Sequence, residues 1–140
     1  MFKFLKSDKN NNEDKFLLKI ASLLIHAAKI DENYTDKEEK IIKKTLIKLG
    51  AEEPGIDKLI TEAKINEEKS IQILDFTKEI KKADNVVKIK IVEALWSIIY
   101  SNNDADMYET NLMRRLSGLL YLDNKTMGDI KKKVERENSK

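Results

Sequence analysis

Cysteine is missing from this chain, and proline and glycine are scarce: there is no Cys, one Pro and four Gly. Without cysteine there is no disulfide, no thiolate metal ligand and no cysteine nucleophile. With so few Pro and Gly, few positions force a helix to stop, and strand-like runs bounded by turn residues are not found. The one histidine, His26, cannot make a two-histidine metal site or the paired Glu-x-x-His motifs of di-iron bundles. Long apolar runs are lacking as well. The best candidate, FLLKIASLLIHAAKI (16–30), is broken by Lys19, His26 and Lys29, whereas a spanning helix needs about 20 apolar residues. Nor does one sign of charge prevail: 27 basic against 25 acidic residues leave a net charge of +2. Only Arg114, Arg115 and Arg136 carry the planar fork that reads phosphates and bases. No nucleic-acid partner is therefore expected. There is no phosphate-cradling glycine loop, and Ser22 and Ser97 have no nucleophile-elbow glycines around them. An enzyme is not expected.

What is present is helical periodicity. Apolar residues recur at spacings of three and four along nearly the whole chain, which predicts an all-α fold of about seven helices. The first, near 14–30, is apolar nearly all round (Phe16, Leu17, Ile20, Leu23, Leu24, Ala27, Ala28) and should be central. The second, 36–49, has a capping box in Thr35 and Glu38 and ends at Gly50, with Ile41, Ile42, Leu46 and Leu49 inward. Pro54 opens a short third helix, 54–64, burying Ile56, Leu59, Ile60 and Ala63. The fourth is expected over 67–82, with Ile71, Leu74, Thr77 and Ile80. The fifth, 85–101, is again apolar on most sides (Val87, Ile91, Leu95, Trp96, Ile98, Ile99). The sixth, 107–121, turns Leu112, Met113, Leu116, Leu119 and Leu120 inward. The seventh starts after Asp123 and buries Met127, Ile130 and Val134. Residues 14–137 make one domain, 138–140 a frayed end. MFKFLKSDKNNN has no signal-peptide pattern and reads as a flexible or docking tail over 1–13. A second reading is a membrane-surface anchor through Met1, Phe2, Phe4 and Leu5 beside Lys3 and Lys6.

One stretch, NNDADMYE (102–109), gathers oxygen-bearing side chains at Asn102, Asp104, Asp106 and Glu109. It has an earlier twin. An offset of 71 residues places Asp31 under Asn102, Asn33 under Asp104, Thr35 under Asp106 and Glu38 under Glu109. The alignment continues into Ile41 and Ile42 with Leu112 and Met113, and back into Leu24, Ala27 and Ala28 with Leu95, Ile98 and Ile99. Each copy reads as a buried helix, a polar loop and an amphipathic helix, so the domain is expected to be two related halves, with the third and fourth helices bridging them. Two readings of the loops stand side by side. Hard cations such as Ca²⁺ take six to eight oxygens from carboxylates, amides and carbonyls, and these loops offer several. The same residues also space as an N-cap and its partner three positions on.

These residues resemble the TerB-like (tellurite-resistance protein B-like) family. LWSIIYSNNDADMYETNLMRRLSGLL (95–120) is similar to the family's L-W-x-(apolar)-A-Y-A-D-G-x-L-D-x-Y-E-x-x-L-(apolar)-R-R stretch, and HAAKIDENYTDKEEKII (26–42) to its first copy. Asp31-Glu32 and Asn102-Asn103 stand where the family has Asp-Gly. The resemblance spans about 20–140. It implies a seven-helix, non-enzymatic domain tied to tellurite and stress resistance and to membrane-proximal assemblies, with the acidic loops as the suggested metal site. The leading expectation is a cytoplasmic scaffolding module, membrane-associated in some settings, that binds a protein partner and needs no fixed cofactor. The alternative is a divalent-cation sensor built on Asp31, Asn33 and Glu38, and on Asn102, Asp104, Asp106 and Glu109. His26 is expected to be buried and hydrogen-bonded. Trp96 and Tyr100 are expected as core aromatics, with the lining of a partner groove as the other reading. Arg114 is expected to pair with Asp104, Asp106 or Glu93, or else to meet an anionic partner.

Overall fold

The computed structural model describes residues 2–29, 35–69, 74–101 and 107–138, with side chains from 15 onward except 74, 107–110 and 138. Seven α-helices run in the order α1 (Phe2–Ala28), α2 (Asp36–Lys48), α3 (Ile56–Lys69), α4 (Leu74–Ile80), α5 (Asn85–Tyr100), α6 (Met107–Leu119) and α7 (Asn124–Asn138). No strand occurs among the described residues, and no helix among them is long and apolar enough to cross a membrane.

Two helices organise the rest. In α1, Leu17, Ile20, Ala21, Leu23, Leu24, Ile25, Ala27 and Ala28 are all buried. A helix apolar on most sides must be covered on most sides, and α1 is packed by α2, α3, α4 and α5. In α5, Ile91, Val92, Ala94, Leu95, Trp96, Ile98 and Ile99 are buried, and α1, α2 and α7 pack on it. Each fully buried Leu or Ile is worth about 1.5–3 kcal/mol of transfer free energy. The covering helices are amphipathic, as their stripes require: Ile42 and Leu46 of α2, Ile56, Ile60 and Ala63 of α3, Leu112, Met113 and Leu116 of α6, and Met127, Ile130 and Val134 of α7 are buried. Ile71 and the side chain of Leu74 lie outside the described residues.

Three helix boundaries differ from the sequence reading. First, α1 starts at Phe2 and not at 14, since 2–13 holds neither Gly nor Pro to break it. Next, Pro54 sits in a 3-10 turn (Glu53–Gly55), and α3 proper begins at Ile56; Gly55 directly after the proline favours the tighter turn over a full α turn. Finally, α3 continues to Lys69, taking Glu67–Lys69 from the expected fourth helix, because nothing in AKINEEK stops it. Here Asn66 is held from the side, its amide donating to Ser22 Oγ of α1 at 3.0 Å.

The C-terminal ends of α2 and α6 share one geometry. After α2, Ala51 N–H donates to Leu46 O (2.9 Å) and Gly50 N–H to Ile47 O (3.1 Å), with Gly50 at φ +115°. After α6, Leu122 N–H donates to Ser117 O (2.9 Å) and Tyr121 N–H to Gly118 O (3.3 Å), with Tyr121 at φ +57°. Both are Schellman closures. Glycine fits the left-handed position freely; a tyrosine there pays roughly 1–2 kcal/mol. The exposed Tyr121 ring lies 5.7 Å from Lys81 Nζ and 5.9 Å from Lys88 Nζ, two cation–π contacts that offset part of that strain. Asp123 then caps α7, its Oδ1 accepting Thr126 N–H at 2.6 Å.

Glycines in opposite settings should respond oppositely. Gly50→Ala should lower stability by about 1 kcal/mol, because its positive φ is strained for any L side chain. Gly128→Ala, inside α7 with open space around an added Cβ, should raise it by about 0.5–1 kcal/mol. Urea unfolding of both variants checks the pair of signs.

Candidate functional site

The first acidic loop lies between the last turn of α1 and the first turn of α2. Of the seven residues read as candidate ligands, Glu38 alone has a described side chain. Asp31, Asn33, Asn102, Asp104 and Asp106 lie outside the described residues, and so does the side chain of Glu109. Glu38 is 1% exposed. Its Oε1 accepts from Thr35 N–H (2.8 Å) and from the Thr35 hydroxyl (2.9 Å), while Thr35 Oγ1 accepts from Glu38 N–H (3.1 Å). That is the reciprocal capping box expected from T-x-x-E, worth about 1 kcal/mol. Among the described residues no three His, Asp or Glu side chains gather closely enough to hold a metal.

Beside this loop sits a polar cluster that sequence patterning did not locate. His26 Nδ1 is 3.2 Å from Glu67 Oε2, and Lys29 Nζ is 2.8 Å from Glu67 Oε1. A carboxylate only accepts, so Nδ1 carries the proton. His26 is hydrogen-bonded as expected but not buried: its side chain is 35% exposed, because it sits at the rim of α1 where α3 ends. Its ring also leans on buried Phe76 of α4, centroids 6.2 Å apart. Burial pushes the Glu67 carboxyl up, but the hydrogen bonds from Lys29 and His26 outweigh it, leaving the group below its ordinary 4.5. The bond to Glu67 raises Lys29 above 10.5. The i,i+3 pair His26 and Lys29 at the end of an apolar helix was the visible signal. The partner, 38 residues on from Lys29, was not visible.

A groove opens on the other half of the molecule, between α5, α6 and α7. Trp96, Met113 and Met127 form its floor, Arg114 and Lys131 its charged flanks, and Gly128 leaves it open; its volume is about 180 Å³. Lys131 Nζ stands 5.3 Å from the Trp96 ring centroid, and Tyr100 stacks on the same ring, centroids 5.8 Å apart and planes 27° off parallel. The Tyr100 hydroxyl donates to Glu135, and burial with this bond to a carboxylate drives its ionisation well above the usual tyrosine range. Trp96 is 4% exposed, and its indole N–H, itself shut off from solvent, has no hydrogen-bond partner among the described residues. A buried donor without an acceptor costs about 1–3 kcal/mol. Of the partners expected for Arg114, Asp104 and Asp106 lie outside the described residues, and Glu93 does not meet it. Glu93 is paired instead with Lys133 at 3.2 Å, since α7 and not α6 runs alongside that face of α5.

A family model described as tellurite resistance protein TerB matches residues 17–132. The chain belongs to the TerB family. The match takes in both loops, the His26–Glu67–Lys29 cluster and every residue of the groove. TerB is a non-catalytic module associated with stress response. No curated protein and no solved structure is significantly similar to the chain.

The Glu67 cluster makes a signed prediction. A carboxylate with a depressed folded pKa stabilises the fold above 4.5 and loses that contribution as pH falls through its folded value. Lys29, raised in the fold, contributes fully below 10.5 and loses its share as pH rises through its folded value. Glu67→Gln should cost about 0.5–1 kcal/mol at neutral pH. The gap from wild type should close as pH drops below 4.5, as followed by urea unfolding across pH. A gap that stays constant with pH would contradict the ion-pair account.

Proposed function

We propose that this TerB-family chain is a non-enzymatic scaffolding module of a stress response, acting near a membrane surface by binding a protein partner. The observation that supports the reading is the groove at α5–α6–α7, where Trp96, Met113 and Met127 line an opening flanked by Arg114 and Lys131. A concave, mostly apolar surface with a few charged groups around it is the usual form of a binding site. Cross-linking in the native organism, followed by capture of the full chain, tests it. A specific, reproducible protein partner is the expected result, and repeated capture of none overturns the reading.

The two halves are read as copies of one three-helix unit. The 71-residue offset relates Gly50 to Tyr121, the two positive-φ residues, and with them the same pair of closing hydrogen bonds. It also relates Ile56, Leu59 and Ala63 of α3 to Met127, Ile130 and Val134 of α7. The α1–α3 and α5–α7 pairs both pack. On this reading α3 belongs to the first copy, and α4 with its flanking residues is the bridge.

The second reading, a divalent-cation sensor, rests on the same offset, which repeats the oxygen-bearing positions of Asp31, Asn33 and Glu38 at Asn102, Asp104 and Glu109. Chelator-stripped protein should then melt higher with one of Ca²⁺, Mg²⁺, Mn²⁺ or Zn²⁺. A ligand at one hundred times its dissociation constant adds about 2.7 kcal/mol, a rise of very roughly 10 °C for a domain of this size. Asp31→Ala should reduce the shift more than Asn102→Ala, because only the former removes a charge. No shift with any of the four metals sinks the sensor and leaves Glu38 as a helix cap.

A further inference from the structure

We propose that the groove between α5, α6 and α7 grips a short acidic segment of a partner protein by one large apolar side chain. The inference rests on the protein-binding reading above and specifies its surface and the chemistry of its partner.

Size comes first. A cavity of about 150 Å³ is enough to hold one benzene ring, while cofactor and drug-sized sites run from about 300 Å³ upward. At about 180 Å³ the groove takes a leucine or phenylalanine side chain and not a nucleotide. Its walls suit that occupant: Met113 and Met127 are 2% and 7% exposed, and methionine reshapes around varied apolar groups. A tryptophan backing such a slot is the commonest kind of binding hot spot.

Charge sets the partner's sign. None of the groove's lining residues is acidic, and Arg114 and Lys131 flank it. Neither cation has a carboxylate partner among the described residues, whereas nearby Lys133 is already held by Glu93. Lys131 is instead parked over the Trp96 ring, a position from which an incoming carboxylate can draw it. The apolar atoms are recessed between helices and do not protrude, so the groove suits an inserted side chain and not a lipid surface. The chain's near-balanced charge argues against a nucleic acid.

Trp96 is the chain's one tryptophan, so its emission reports directly on the groove. The probes are a library of short blocked peptides carrying one leucine or phenylalanine flanked by aspartate and glutamate, and a matched library with asparagine and glutamine in their place. Acidic members should change Trp96 emission in the full chain saturably, and less as ionic strength rises. The neutral library should bind at least about tenfold more weakly. Arg114→Glu with Lys131→Glu should cost at least about tenfold. Gly128→Leu should block the slot while circular dichroism and melting show the fold kept. Equal binding of both libraries, no response to any acidic peptide, or binding that survives the double charge reversal overturns the proposal. So does an emission change on concentrating the protein alone that the double variant abolishes, which would assign the groove to a second copy of the chain. Repeating the capture experiment with the double variant separates the two readings. A partner still captured removes the groove and leaves the scaffold reading intact. No partner captured even by the wild type removes the scaffold reading itself.

Discussion

Two helices that are apolar on most sides set the terms for the whole molecule. From Leu17 onward α1, and α5 likewise, bury most of their circumference and leave only a narrow polar stripe to water (Lys19 and His26 on α1, Lys90 and Glu93 on α5), so each needs a sheath, and the remaining five helices supply it. This explains why α2, α3, α6 and α7 are amphipathic while α1 and α5 are not. It also explains why α2, which touches both central helices, is closed so firmly at its two ends, by a reciprocal box at Thr35 and Glu38 and by a glycine at φ +115°. A cover that frayed would uncover both central helices together.

Polar groups inside that sheath follow two patterns. Most are consumed locally: Ser22 Oγ, fully buried, donates to Leu18 O at 2.7 Å and accepts from Asn66, and Thr45 Oγ1 donates to Ile41 O at 2.8 Å. The first and last of these stay within one helix, and the bond from Asn66 stitches α1 to α3. Thr77 Oγ1 of α4 and Trp96 Nε1 of α5, both shut off from solvent, have no hydrogen-bond partner among the described residues.

Much of the fold was legible because its punctuation is chemical. Thr35–Glu38, Gly50 and Asp123 mark ends by hydrogen-bonding capacity or backbone freedom, and the helices begin or stop beside them. The apolar stripes were legible for the same reason, since period alone decides which face turns inward. Boundaries written only by tertiary context were not. The run Glu67–Lys69 was read as the start of the fourth helix, yet it continues α3, where Glu67 is engaged by α1. The end of α6 carries no glycine signal, and Tyr121 takes the left-handed position regardless. The site divides likewise. The capping role of Glu38 is local in sequence and could be read. The groove draws Trp96, Met113 and Met127 from three helices, and no spacing along the chain announces that they meet.

The arrangement of contacts also bears on how the chain reaches its fold. The α1–α2 and α2–α3 contacts join neighbours in the chain, the α1–α3 and α5–α7 pairs each reach across one intervening helix, and α1–α4 reaches across two. The α1–α5 contact is different, because everything from α2 through α4 must be looped out for it to form. Loop closure grows costlier only slowly, by about 0.6 kcal/mol per doubling of length, yet this contact brings together the two surfaces that least tolerate water. Each half can therefore condense around its own central helix first. The meeting of α1 with α5 is the event that turns two partly wetted clusters into a single dry interior.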